Sequence, residues 1–322
     1  MTSFTCGNSG PMHQTSKTRV RPALSPAVSG HRPVLLAVAV AACFAAPVTL
    51  RAQPSGAQAI HGSAALSQQG NKLVVTTTNG AGTSHSAVNW QSFSVPAGST
   101  TQFNQPSVAS TSINRVVGNN PSAIFGTLTS NGKLVLVNPA GIAVGAGAVV
   151  DTAGFTASTL RMNDADALAG RLRFEGGTHG LSVGGQILAR SGDVVLIAPN
   201  VDTASSALIQ SPNGATVIAA GQKVEITGRG LEGIKLEVQA PTNSAVNLGT
   251  MTGEAVGIFA STLRHSGLIS ATTAVANGGR VQLLGEKVGV MGVLRHARLL
   301  FLSRELWLLW AAKGKNRAVR NS

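Results

Sequence analysis

Two turns of the same chemistry bracket a strand near the middle of this chain, and that arrangement limits what the chain can fold into. Asn119-Asn120-Pro121-Ser122-Ala123-Ile124-Phe125-Gly126 is followed by the apolar run Leu134-Val135-Leu136-Val137 and then by Asn138-Pro139-Ala140-Gly141-Ile142. Asn-Pro-X-Gly sets proline's fixed φ at one turn position and glycine's freedom to adopt φ > 0 two residues later, so the chain reverses tightly between apolar strands. A coil of short strands has this pattern.

The unit recurs along the chain. Leu134-Val135-Leu136-Val137 is echoed by Val194-Val195-Leu196-Ile197 with Ala198-Pro199-Asn200, then by Val217-Ile218-Ala219-Ala220-Gly221 and Val281-Gln282-Leu283-Leu284-Gly285. Val194 lies 22 residues before Thr216, and Val256 lies 25 before Val281. A period just above twenty matches one coil of a solenoid, whose coils cannot bury their apolar side chains alone and so stack on their neighbours. The expectation is an all-β fold, a right-handed parallel β-helix (solenoid). Spacing across residues 60–130 is irregular, which predicts an N-terminal cap containing some antiparallel strands. An antiparallel sandwich or barrel also has many short strands and is the alternative. Gly132, Gly192, Gly214 and Gly279 each precede a strand and fit corners with no room for a Cβ. Trp90 and Phe93 supply scarce aromatic volume and are expected to plug the core.

Composition agrees. There are 38 Gly and no Tyr, and only 11% of residues are charged, about half the share usual in soluble domains. The formal net charge of +13 invites a nucleic-acid reading, so its distribution matters. Residues 1–52 carry Lys17, Arg19, Arg21, Arg32 and Arg51 with no acid. Residues 293–322 carry seven basic residues against Glu305, whereas residues 53–292 hold 13 basic and 11 acidic residues. The basic character belongs to the ends, and no nucleic-acid partner is expected of a nearly neutral body.

Those ends read differently from the body. Residues 1–57 are expected to form a long signal-peptide region: a polar basic stretch through Arg32, the apolar run Val34-Leu35-Leu36-Ala37-Val38-Ala39-Val40-Ala41-Ala42, then small residues. Val40-Ala41-Ala42-Cys43 also resembles a lipoprotein processing box, and the run is short for a membrane span. Cys6 and Cys43, the two cysteines, both fall in this region. Residues 58–292 form the expected β-helix domain. Beyond Gly292 the composition turns abruptly to Arg and Leu, with Trp307 and Trp310. An atypical basic and apolar tail over 293–322 fits either an amphipathic capping helix or translation in a shifted frame.

The body resembles the haemagglutination-activity domain found at the N-terminus of two-partner secretion exoproteins such as filamentous haemagglutinin. The resemblance rests on Asn89-Trp90-Gln91-Ser92-Phe93, on Phe103 with Gln105-Pro106-Ser107, and on Ile113-Asn114-Arg115-Val116. It continues through the two turn segments and Gly154-Phe155-Thr156-Ala157-Ser158-Thr159-Leu160, all in family order. Ala140 departs from the family's Asn-Pro-Asn-Gly-Ile, and the later Asn-Pro-Asn-Leu is reduced to Ala198-Pro199-Asn200-Val201. The resemblance implies a secretion-targeting domain of a large exoprotein or adhesin, here truncated, with no catalysis and no cofactor. It implies recognition by an outer-membrane β-barrel transporter with periplasmic domains, and a product secreted or held at the surface of a Gram-negative bacterium after passing the periplasm. Asn119, Pro121, Ser122, Gly126, Asn138, Pro139, Gly141 and Ile142 would carry the secretion motif, through recognition or through making the turn. A host glycan or receptor is a further partner such an adhesin would have.

Catalytic signatures are missing. The chain has no His-Glu-x-x-His, paired Cys-x-x-Cys or phosphate-binding Gly-rich loop, and no small-molecule substrate is expected. His61, His85, His179 and His265 lack ligand-like spacing and read as isolated surface residues. A β-helix polysaccharide lyase or hydrolase would need clustered carboxylates. Asp164 and Asp166 are the close pair, in a polar stretch that reads as a solvated turn or a helix cap.

Overall fold

A computed structural model describes residues 53–238, 242–271, 280–284, 287–295, 298–302 and 305–308. The expected signal region through residue 52, with Cys6 and Cys43, and Gly279 lie outside the described residues.

The body is a parallel β-helix. It opens with β1 (Gln58–His61), β2 (Ser63–Gln69), β3 (Lys72–Thr78) and β4 (His85–Trp90), in which β2 pairs antiparallel with β3 and β1 with β4. This is the antiparallel cap. Parallel pairing begins with β5 (Thr100–Asn104) on β3 and β6 (Thr111–Val116) on β4. Three-sided coils then follow: β7 (Ser122–Ile124), β8 (Thr127–Ser130) and β9 (Lys133–Val137), then β10 (Ile142–Val144), β11 (Val149–Thr152) and β12 (Gly154–Ser158). After an insertion holding α1 (Asp164–Ala169) and β13 (Leu172–Glu175), the coils resume with β14 (Leu181–Val183), β15 (Gln186–Ala189) and β16 (Val194–Ala198). Next come β17 (Asn200–Thr203) and the long bent strand β18 (Leu208–Ala220). A second insertion carries β19 (Lys223–Ile226), a 3-10 turn (Leu231–Gly233) and β20 (Ile234–Val238). The final coils comprise β21 (Ser244–Asn247), β22 (Thr250–Phe259), β23 (Thr262–His265), β24 (Leu268–Ala271), β25 (Arg280–Leu284), β26 (Lys287–Val290), β27 (Val293–Arg295), β28 (Arg298–Leu302) and β29 (Glu305–Leu308).

The registers implied by the sequence period are present. Val194 pairs with Thr216 and Val256 with Val281, both in parallel. Alternation follows from burial: β8, β11 and β24 each bury every second residue, so one side faces the shared core and the other faces water. Trp90, Phe93 and Phe103 plug the N-terminal end of that core, with Phe93 edge-on to Trp90 at 5.4 Å between centroids. Trp90 Nε1 donates to Asn114 Oδ1 at 2.9 Å, so the buried indole has a partner.

The second side of the coil, formed by β4, β6, β9, β12, β16 and the second halves of β18 and β22, behaves differently. β12 and β16 are buried at every position. The cause is the two insertions: β13, β19 and β20 form a separate antiparallel sheet. Phe174 and Val224 from that sheet pack in one apolar cluster with the outward-facing Ile113, Val135, Val195 and Val217. Covering each such side chain contributes on the order of 1.5–3 kcal/mol relative to leaving it in water. That is why Val194-Val195-Leu196-Ile197 is continuously apolar and not alternating.

Past Gly292 the ladder continues. β27, β28 and β29 pair in parallel with β24, β25 and β26, so the described residues 293–295, 298–302 and 305–308 are strand and not the amphipathic capping helix that is one of the two readings of the tail. Coil-to-coil hydrogen bonding offers the backbone of this stretch partners that an isolated helix would not give it.

Candidate functional site

The motif residues converge on the corner between β9 and β10. Asn138 is fully buried there, and its carboxamide is used on both sides. Its Oδ1 accepts from the Ala140 backbone N–H at 2.9 Å, an Asx turn, while Gly141 N–H closes the backbone turn on Asn138 O at 3.0 Å. Its Nδ2 donates to Ser122 Oγ at 2.9 Å and to Asn120 O at 3.0 Å, both in the preceding coil. One side chain thus shapes its own turn and ties it to the turn beneath. Gly141 has φ +112°, the left-handed region the Asn-Pro-X-Gly pattern predicts.

The neighbouring motif residues complete the tie. Ser122 and Ile142 are register partners in the parallel β7–β10 pair, and Ser122 N–H donates to Gly141 O at 2.9 Å. Ile142 is buried in the core, whereas Pro121 and Asn119 are exposed on the solvent side of the same corner. Pro139 O accepts from His179 Nδ1 at 2.9 Å, a contact 40 residues away that no local pattern announces. The departure at Ala140 is accommodated, because the turn uses that residue's backbone N–H and not its side chain.

Gly126 sits apart, at the other end of β7. A Cβ there would lie 2.2 Å from Pro96 O and 2.3 Å from Ser99 O. The residues before β8, β11, β15, β18, β22, β24 and β27 stack in register, and they are Gly126, Ala148, Gly185, Ala207, Gly249, Gly267 and Gly292. From β8 onward each of these coils turns this corner on a residue with at most a methyl group. The ladder is visible in the sequence only once the coil register is known.

The remaining candidates resolve into structural roles. Asn163 caps α1 by accepting from Asp166 N–H at 2.7 Å, and Asp166 Oδ2 accepts back from Asn163 Nδ2 at 2.8 Å. Asp166 also pairs with Arg171, whereas Asp164 pairs with Arg115 at 2.5 Å on the exposed side. The two carboxylates face different partners and do not form an acid and base pair. Among the described residues no group of three or more His, Cys, Asp or Glu is placed to hold a metal ion.

The histidines depart from the expectation of isolated surface residues. His61 and His85 stack with centroids 4.3 Å apart, because antiparallel β1–β4 pairing brings residues distant in sequence together. His85 is buried with Nε2 3.1 Å from Leu168 O, and burial holds its pKa below the ordinary value. His265 is buried inside the coil, where Nδ1 meets Asn247 Nδ2 at 3.1 Å, and burial lowers its pKa as well. An interior polar rung of this kind leaves no trace in spacing.

Comparison with known proteins agrees with this architecture. The chain resembles the HMW1 secretion domain from Haemophilus influenzae, with TM-score 0.72 and 28% identity over 79% of this chain and 71% of that one. It shares the fold of the filamentous hemagglutinin secretion domain at TM-score 0.54 and 18% identity, over 77% of this chain and 99% of that one. A heme/hemopexin-binding protein of Haemophilus influenzae is 37% identical over 106 residues, which is 33% of this chain. The chain spans about a tenth of the length of that relative (11%). A family model described as TPS secretion domain matches residues 51–293, and the chain belongs to that family.

Proposed function

We propose that this domain is the address by which a larger exoprotein is taken up from the periplasm by an outer-membrane β-barrel transporter, and that the address is read before the β-helix forms. The observation that carries this reading is the way the fold uses its recognition-grade groups. Among the described residues the coil strands pair coil to coil, so apart from the small β13–β19–β20 sheet their free edges lie at the ends of the ladder. Asn138 and Ser122, the motif's most distinctive polar side chains, are buried in one another. A partner that adds a strand to this chain needs that strand unpaired and hence the chain unfolded. Folding outside the membrane then withdraws those groups and makes passage one-way.

In this reading the product lies outside the cell or on its surface, and the motif residues 119–142 act through folding of the emerged chain and not as contacts to the transporter. The family supports a role without catalysis, and the Asp164 and Asp166 geometry gives a lyase reading no support. The test is export from cells that co-express an outer-membrane transporter of the two-partner secretion class. Deleting residues 58–292 from the exoprotein is expected to abolish its appearance in the medium. Unchanged export without those residues contradicts the proposal.

A further inference from the structure

Beside the 138–141 turn lies a cleft of about 500 Å³ whose wall carries Arg115, Asn119, Arg161, Thr178 and His179. Val117 and Met162 give it an apolar side, and no Asp or Glu lines it. An adjoining cleft of about 770 Å³ shares Arg161 and Met162, but there Arg173 is paired with Glu225 and Lys223 with Glu175. The acid-free cleft is the one whose cations are in excess.

Arg161 is the informative residue. Its backbone is clamped: its N–H donates to Glu175 O at 3.2 Å and Gly176 O at 3.1 Å, and Glu175 N–H donates back to Arg161 O at 2.9 Å. Its side chain is exposed and has no hydrogen-bond or ion-pair partner among the described residues, unlike Arg115, Arg171, Arg173 and Arg190. The other wall is also set. A carbonyl only accepts, so His179 Nδ1 must donate to Pro139 O, which fixes the imidazole beside the opening. Arg115 Nη1 is buried without a partner at the base, adding positive potential that Asp164, bound through Nη2, offsets only in part.

We propose that this cleft binds one acidic sugar unit, with the carboxylate on Arg161 and hydroxyl groups on Asn119 and Thr178. A guanidinium presents parallel N–H donors that match a carboxylate. A carboxamide and a hydroxyl each donate and accept, as sugar hydroxyls require. The volume falls in the range of small-ligand sites, about 300–1,000 Å³, and suits a single ring. This inference does not rest on the secretion reading, because it concerns a cleft of the folded chain, however that chain reaches its destination.

Saturation-transfer NMR on the purified full chain, with sodium glucuronate as probe and glucose and acetate as controls, tests it. Glucuronate is expected to give transfer signals, with affinity at least ten-fold above either control. Arg161→Ala is expected to weaken glucuronate at least ten-fold without lowering the Tm, and Arg161→Lys to restore part of the loss. The proposal is overturned by absence of glucuronate binding, by binding that survives Arg161→Ala, or by equal binding of glucose or acetate.

Discussion

Asn138 Nδ2 lies 2.9 Å from Ser122 Oγ, and both residues are fully buried although they belong to successive coils. A carboxamide in this position replaces water for two turns at once. Asn138→Ala removes three side-chain bonds and strands Ser122 Oγ, Asn120 O and Ala140 N–H. Leaving buried polar groups unpaired costs about 1–3 kcal/mol each, less where water reaches the gap, so a loss of about 2–4 kcal/mol is expected. Urea unfolding of the folded domain measures it. Ala140→Asn, which restores the family residue without touching the turn's bonds, is expected to stay within about 0.5 kcal/mol of the wild type.

The corner ladder makes an asymmetric prediction. Gly126→Ala places a methyl group 2.2 Å from a backbone oxygen, so the coil has to shift, at a cost of about 1–3 kcal/mol. Ala148→Gly, one rung on, removes a methyl group and adds only backbone freedom, about 0.5–1 kcal/mol plus the small void. Thermal unfolding of the two variants side by side checks the order.

Stability is expected to fall in mild acid. Burial depresses the His265 pKa below its unfolded value, and the same holds for His85. The unfolded chain therefore takes up protons first as pH falls through about 6.5, which favours unfolding. The contribution is fully present above the unfolded pKa and is lost progressively as pH drops through the folded one. His265→Gln, which keeps a polar group beside Asn247, is expected to flatten the slope of unfolding free energy between about pH 7 and pH 5.

Phe174 tests the covering sheet. It is fully buried against the second side of the coil, so Phe174→Ala is expected to cost about 3–5 kcal/mol. It also exposes Val135 and Val195, and increased binding of a hydrophobic dye to the folded variant reports that.

Much of the architecture was legible because one coil repeats one chemistry. Val194 and Thr216, 22 residues apart, are register partners, and Gly141 adopts the positive φ its turn demands. The insertions were not legible. β13 and β19 are separated by two coils, and nothing local in Leu172 or Ile226 says that they pair. The His61–His85 stack and the Arg161 cleft leave no local pattern for the same reason: their parts meet only after the coils stack. In the tail, Arg and Leu composition fits a helix locally, yet an existing parallel edge supplies hydrogen-bond partners for strand in residues 298–302.

The central claim is that the motif around Asn138 serves folding after export and that the transporter reads the chain before folding. The direct measurement is the affinity of the transporter's periplasmic domains for urea-unfolded, rapidly diluted chain, comparing wild type with Asn138→Ala. The account predicts equal affinities for the two unfolded chains, at least ten-fold weaker binding of the folded wild type, and the stability loss stated above for the variant. Binding abolished by Asn138→Ala in the unfolded chain, or folded wild type bound as tightly as unfolded, would contradict it.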